Sequence, residues 1–229
     1  MSALFVAGAH TDVGKTHIAC ALLRAARAAG RSVEALKPVV SGYDPAAPEG
    51  SDPWRLLEAM GREPTAAALA AMSPWRYRAP LAPPMAARLE GGRLELASLA
   101  QACRERLRAT RADLFVVEGV GGLMSPIAEA ATGLDLMVDL KLPVLLVGGA
   151  YLGGISHTLT ALEVLRTRGL DVAALVVSQS ADPEAPDFAA SLATIRQFTG
   201  TIQVLAAPRA GALPEAGLLA AAGLAQKPA

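Results

Sequence analysis

Charge, cysteine and aromatic side chains are all scarce in this sequence. Charged residues make up 18%, and Lys+Arg and Asp+Glu number 21 each, so the formal net charge is zero. That balance excludes a nucleic-acid binder that works through a broad basic face. Two cysteines, Cys20 and Cys103, are too few for a disulfide framework, and both fall in helix-like stretches, which suits a reducing compartment. His10, His17 and His157 are scattered and, with those cysteines, give no zinc-ligand spacing. No uncharged apolar run approaches the ~20 residues needed to span a bilayer. The chain enters a strand at Ala3–Ala7 with neither a basic leader segment nor a cleavage site. A cytoplasmic protein with no membrane and no nucleic-acid partner is expected. Apolar surface, by contrast, is plentiful. With 52% hydrophobic residues in 229, the chain is not disordered and can fill the core of an α/β domain.

Short apolar runs alternate with longer helical patterns. The runs are Leu4–Ala7, Val33–Leu36, Leu114–Val117, Val144–Val147, Val172–Val177 and Ile202–Leu205. Each is nearly continuous in apolar residues, as a strand is when helices cover both of its faces. Helices are expected at Lys15–Ala29, Leu96–Ala109, Ile155–Arg168 and Pro186–Phe198. The repeat of strand, helix, strand predicts an α/β fold with a mostly parallel central sheet and helices on both faces. Residues 39–84 break the rhythm: they are rich in Pro and Gly, hold Trp54 and Trp75, and contain two short helical pieces near Asp52–Met60 and Pro64–Met72. An insertion after a parallel strand, at the carboxyl end of the sheet, is where α/β proteins place ligand sites. With no repeat and no long linker, residues 1–229 are expected to form a single domain.

After the first strand comes Gly8-Ala9-His10-Thr11-Asp12-Val13-Gly14-Lys15-Thr16, then a helix. Gly-Lys-Thr at a strand-to-helix turn ends a P-loop: backbone N–H groups face phosphates, Lys15 reaches the β/γ oxygens, and the Thr16 hydroxyl meets Mg²⁺. Five residues, where four are usual, separate Gly8 from Gly14. His17 borders the loop; packing or surface is its plainer reading, a nucleotide contact the functional one. The second strand ends in Lys37-Pro38-Val39-Val40-Ser41-Gly42. At the carboxyl end of a central parallel strand, Lys37 is expected beside the loop, where Lys15, Lys37 and Mg²⁺ together would offset the charge of a transferring phosphoryl group. The third core strand closes on Glu118-Gly119-Val120-Gly121-Gly122, putting a carboxylate over the loop as a candidate second Mg²⁺ ligand. Asp52, at the start of a short helix, is either a third metal ligand or a helix cap, as Ser51 could also be.

These blocks resemble the ATP-dependent dethiobiotin synthetase family. Its loop has the same five-residue spacing and is met at Gly8, Thr11, Val13, Gly14, Lys15 and Thr16. Its Lys-Pro-Val-x-Ser-Gly is met from Lys37 to Gly42, and its Glu-Gly-x-Gly-Gly from Glu118 to Gly122. Leu142-Pro143-Val144 and Leu152–His157 are similar to its next strand and loop. The resemblance implies a P-loop NTPase-like fold and a homodimeric cyclo-ligase. Its substrates would be ATP, CO₂ or bicarbonate, and 7,8-diaminopelargonic acid. An amine carbamate would be phosphorylated, and the ring would close on the neighbouring amine. It implies catalytic roles for Lys15 and Lys37, and Mg²⁺ on Thr16, Asp52 and Glu118. ATP would meet Asp12, Val13, Gly14, Lys15, Thr16, His17 and Asp52. It would also meet Glu118, Gly119, Val120 and Gly121, and further along Ser178, Gln179 and Pro208. Thr11, Asp12 and Ser41 would face the diamine, and Gly153, Gly154, Ile155 and Ser156 would hold its carboxylate from the partner subunit. That chemistry needs no protein nucleophile, and the sequence has no Ser-His-Asp or Cys-His constellation.

Departures from the family pattern are local. His10 replaces an Asp, Ala9 a Thr, and Ser156 an Asn. Ser178 stands where the family often has an adenine-reading Asn, so either Gln179 supplies the amide or base selection is loose. Two rival readings share the loop. An amidoligase of the cobyrinic acid diamide type needs a glutaminase partner domain with a catalytic Cys, which nothing here provides. An ATP-controlled switch of the partitioning or division-site kind usually carries a lysine early in the loop and a basic amphipathic tail. Here Ala9 and His10 occupy the loop, and the tail is alanine-rich.

Overall fold

A computed structural model describes residues 1–224. From the N-terminus run β1 (Ser2–Gly8), α1 (Lys15–Ala28), β2 (Val33–Leu36) and β3 (Val39–Ser41). The inserted region adds α2 (Asp52–Ala59), α3 (Ala66–Met72), β4 (Trp75–Tyr77) and α4 (Pro83–Leu89). Then follow α5 (Leu96–Ala109), β5 (Leu114–Glu118), β6 (Pro126–Ala128), β7 (Ala131–Thr132) and α6 (Gly133–Leu140). The last part holds β8 (Val144–Ala150), α7 (Gly154–Thr167), β9 (Val172–Gln179), α8 (Phe188–Phe198), β10 (Val204–Ala207) and α9 (Glu215–Ala221).

Six strands make one parallel sheet in the order β10-β9-β8-β1-β5-β2. Successive residues of each central strand serve opposite faces. Leu4 and Val6 of β1 pack with α1, α2 and α9, whereas Phe5 and Ala7 pack with α5, α6, α7 and α8. Leu114 and Val116 of β5 likewise oppose Phe115 and Val117. Two buried faces are the reason these strands read as continuous apolar runs. The chain leaves β1 for β2, returns through β5, then crosses to β8 on the other side of β1. The order therefore reverses at the carboxyl end of β1, which opens a crevice for a ligand.

The sheet corrects one expectation. β2 is an edge strand, with β5 between it and β1. Lys37 thus reaches the loop across the end of β5, not from a neighbouring strand. Several boundaries also shift: β1, β8 and β9 extend beyond the expected runs, to Ser2–Gly8, Val144–Ala150 and Val172–Gln179. β10 starts two residues late because the Ile202 N–H closes a turn on the Thr199 carbonyl. α8 starts at Phe188 because Asp187 accepts a hydrogen bond from the Ala190 N–H at 2.8 Å, capping the helix there. The insertion is held at both ends: β3 and β4 pair in parallel, and the buried Ser73 hydroxyl donates to the Lys37 carbonyl at 2.7 Å. Among the described residues, no helix is long and apolar enough to cross a membrane.

Candidate active site at the carboxyl edge of the sheet

The turn between β1 and α1 is built to present N–H groups. Gly14 sits in the left-handed region (φ 96°), and Asp12 joins it there (φ 58°), as a short polar side chain tolerates. α1 has no side-chain cap and no acidic residue in its first turn. The Ile18 N–H bonds the Gly14 carbonyl, so the N–H groups of the preceding residues lack intrahelical acceptors. That is the geometry of an anion site. Lys15 is buried, with its Nζ 3.4 Å from the His10 carbonyl. Burial, together with the charge of Lys37, lowers its pKa to about 8.

Beside the loop lies a compact charge cluster. Glu118 closes β5 fully buried, and its Oε1 accepts from both Thr16 Oγ1 and Lys37 Nζ at 2.6 Å. Lys37, 2% exposed, also lies 2.6 Å from Asp52 Oδ2 and 3.3 Å from the Gly119 carbonyl. Burial pulls the Lys37 pKa down, yet the Glu118 and Asp52 carboxylates outweigh it and hold the ammonium above its usual range. Burial raises Glu118, partly countered by Lys37. Asp52 is held low: Lys37 overcomes its desolvation. The carboxylate of Asp52 is therefore spent on Lys37 and not on a helix cap, and the Ser51 hydroxyl turns to the Pro48 carbonyl instead. Glu118 Oε2 and Ser41 Oγ are buried with no protein partner. Such orphaned acceptors inside a site call for a ligand.

Two cavities meet at the loop. One, of about 290 Å³, is lined by Thr11, Asp12, Gly14, Lys15, Thr16, Lys37, Ser41, Asp52, Val120 and Gly121. The other, of about 520 Å³, runs along the far side of the loop past Val13, His17, Ser178, Gln179 and Pro208. The two share Thr11, Asp12, Gly14 and His17 of the loop.

Comparison with known proteins gives the family. A family model described as an AAA domain matches residues 2–222. An ATP-dependent dethiobiotin synthetase from Phenylobacterium zucineum is 61% identical over 92% of this chain and 90% of its own length. The chain belongs to the ATP-dependent dethiobiotin synthetase family. Synthetases from Caulobacter vibrioides (59% identical, 92% and 94% covered) and Methylobacterium nodulans (48%, 95% and 98%) match as fully. The septum site-determining protein MinD of Pyrococcus horikoshii, solved with Mg-ADP, is 14% identical at a TM-score of 0.55, with 96% of this chain and 86% of that one covered. That likeness shows the shared P-loop fold alone.

Against the sequence expectations, loop residues, Lys37, Asp52 and Ser41 line one cavity, with Glu118 bonded behind them to Thr16 and Lys37, and Ser178, Gln179 and Pro208 line the other. Val120 and Gly121 line the smaller cavity, whereas Gly119 lines neither and borders a separate pocket of about 20 Å³ beside Phe5 and Met137. Gly153, Gly154, Ile155 and Ser156 form the start of α7 and line neither cavity within one chain. Tyr151 was missed. It follows β8 at the same rim, lines the larger cavity, and its hydroxyl lies 2.8 Å from His157 Nδ1. His10 and His157 stack with centroids 5.4 Å apart. An aromatic residue just past a glycine-rich strand end was the signal available for Tyr151. The backbone N–H of Arg209, which meets Gln179, had none.

Proposed function

We propose that this chain closes the ureido ring of dethiobiotin from 7,8-diaminopelargonic acid, CO₂ and ATP. One amine adds CO₂ as a carbamate, releasing a proton. A carbamate oxygen attacks the γ-phosphorus and ADP leaves. The second amine then attacks the carbonyl carbon and inorganic phosphate leaves. The observation that carries the reading is the cluster of two ammonium groups, Lys15 and Lys37, around one cavity with a buried carboxylate between strand and loop. The high identity of full-length synthetases favours it over the switch and the amidoligase.

Lys15 and Lys37 would hold the carbamate and γ-phosphate, stabilising charge as it spreads in the transition state. The Ser41 hydroxyl, without a protein partner, would meet a substrate amine or the carbamate, along with Thr11 and Asp12. Among the described residues no three His, Cys, Asp or Glu side chains are placed to hold a metal alone. The donor set of Thr16, Asp52 and the unpartnered Oε2 of Glu118 suits Mg²⁺, which prefers a few protein oxygens with phosphate and water completing its shell. Mg²⁺ there would neutralise nucleotide charge. A homodimer would bring Gly153–Ser156 of the partner to the substrate carboxylate. Leu152, 88% exposed beside them, supports such a contact.

The test is an incubation of diamine, ATP, Mg²⁺ and labelled bicarbonate. Label in a cyclic urea, with ATP hydrolysis dependent on diamine and bicarbonate together, is the expected result. Hydrolysis that runs without either would return the chain to the switch class.

A further inference from the structure

Gln179 ends β9 at the far wall of the larger cavity, and its Oε1 accepts a hydrogen bond from the Arg209 backbone N–H at 3.0 Å. An N–H can be met only by the oxygen of a carboxamide. Its orientation is therefore settled: the oxygen faces the segment after β10, and Nε2 faces away from it. Ser178 is turned elsewhere. A Cβ on Gly14 would come within 2.9 Å of the Ser178 hydroxyl, so this side chain packs against the phosphate loop. Of the two neighbours, only Gln179 offers an amide to a bound base.

We infer that Gln179 reads the nucleotide base as a hydrogen-bond donor, and that the chain therefore uses 6-oxopurine triphosphates such as GTP alongside ATP. The inference rests on the nucleotide site proposed above. A free amide selects adenine by a two-point match, accepting from the 6-amino group while donating to N7. With Arg209 taking one of the oxygen's two lone pairs and holding it toward the segment after β10, the accepting half is weakened, and that half is the one that tells a 6-amino from a 6-oxo purine. The donating half serves both, since guanine presents O6 beside N7 as adjacent acceptors.

The experiment compares ATP and GTP as co-substrates of ring closure by the full-length protein, and ADP with GDP in equilibrium binding. In both measurements the guanine nucleotide is expected within about tenfold of the adenine one, less than the discrimination a complete two-point match gives. Gln179→Glu keeps an oxygen for the Arg209 N–H and turns a second, anionic acceptor to the base. It should favour the 6-amino group, repel O6 and lower the GTP:ATP ratio by at least about tenfold. An unaltered protein that prefers adenine by a hundredfold or more, or a ratio that Gln179→Glu leaves unchanged, overturns the inference. Equal binding of ADP and GDP with no ring closure on either triphosphate would uphold the base reading by Gln179 while removing the ring-closing reading.

Discussion

Lys37 has two carboxylates within 2.6 Å and almost no access to water. Its charge holds Glu118 in the folded chain and, under the proposed function, would face the phosphates in a working one. Lys37→Ala should lower kcat by at least ~10²-fold, as losing one preorganised charge contact does. Nucleotide affinity, carried by the loop, should fall much less. The same change leaves Glu118 buried against Thr16 alone, which should cost about 3–5 kcal/mol of stability. Adding Glu118→Gln removes the stranded charge, so the double variant should melt above the single one. Turnover near the parent level would take Lys37 out of the mechanism. A single variant that unfolds like the parent would show that the ion pair carries little stability.

Elements position these side chains by what they leave uncovered. α1 places its uncapped N-terminus against the cavity because Gly14 turns left-handed just before it. Gly14→Ala is strained there and brings its Cβ to 2.9 Å from Ser178 Oγ. Nucleotide affinity should drop at least about tenfold, since backbone strain of this kind costs ~1–3 kcal/mol; titration with ADP measures it. The opposite faces of the sheet are dry. Cys20 on α1 and Cys103 on α5 are buried, and burial pushes both thiols up to about 12. In the unfolded chain they ionise at the ordinary thiol range, so the folded state holds more protons above it. Stability should therefore fall as pH rises beyond about 9. A thiol reagent at pH 8 should find neither cysteine until urea is added, and rapid labelling of the native protein would contradict the burial argument.

At the scale of the whole molecule, one chain leaves the α7 start outside both cavities, with Leu152 exposed beside it. If a partner subunit completes the site, Leu152→Asp should yield monomers in sedimentation and raise the KM for the diamine while ADP binding persists. A variant that stays dimeric would place the contact elsewhere. The phosphate loop, Lys37-Pro38 and Glu118-Gly119 were legible in the linear chain because each is a short run whose backbone and side chains act locally. The six central strands were legible too, since burial on two faces leaves an unbroken apolar run. The short β3–β4 and β6–β7 pairs carry too few residues to show a period, and α4, α6 and α9 escaped for the same reason. By itself, then, the order of residues determined a parallel α/β sheet and the three motifs on its rim. Only the folded chain decided that β5 lies between β1 and β2, which joins Lys37 to Glu118 across 81 positions, and that Arg209 engages Gln179 across 30. Neighbour relations between parallel strands follow from how the crossover helices pack, and no local pattern encodes that.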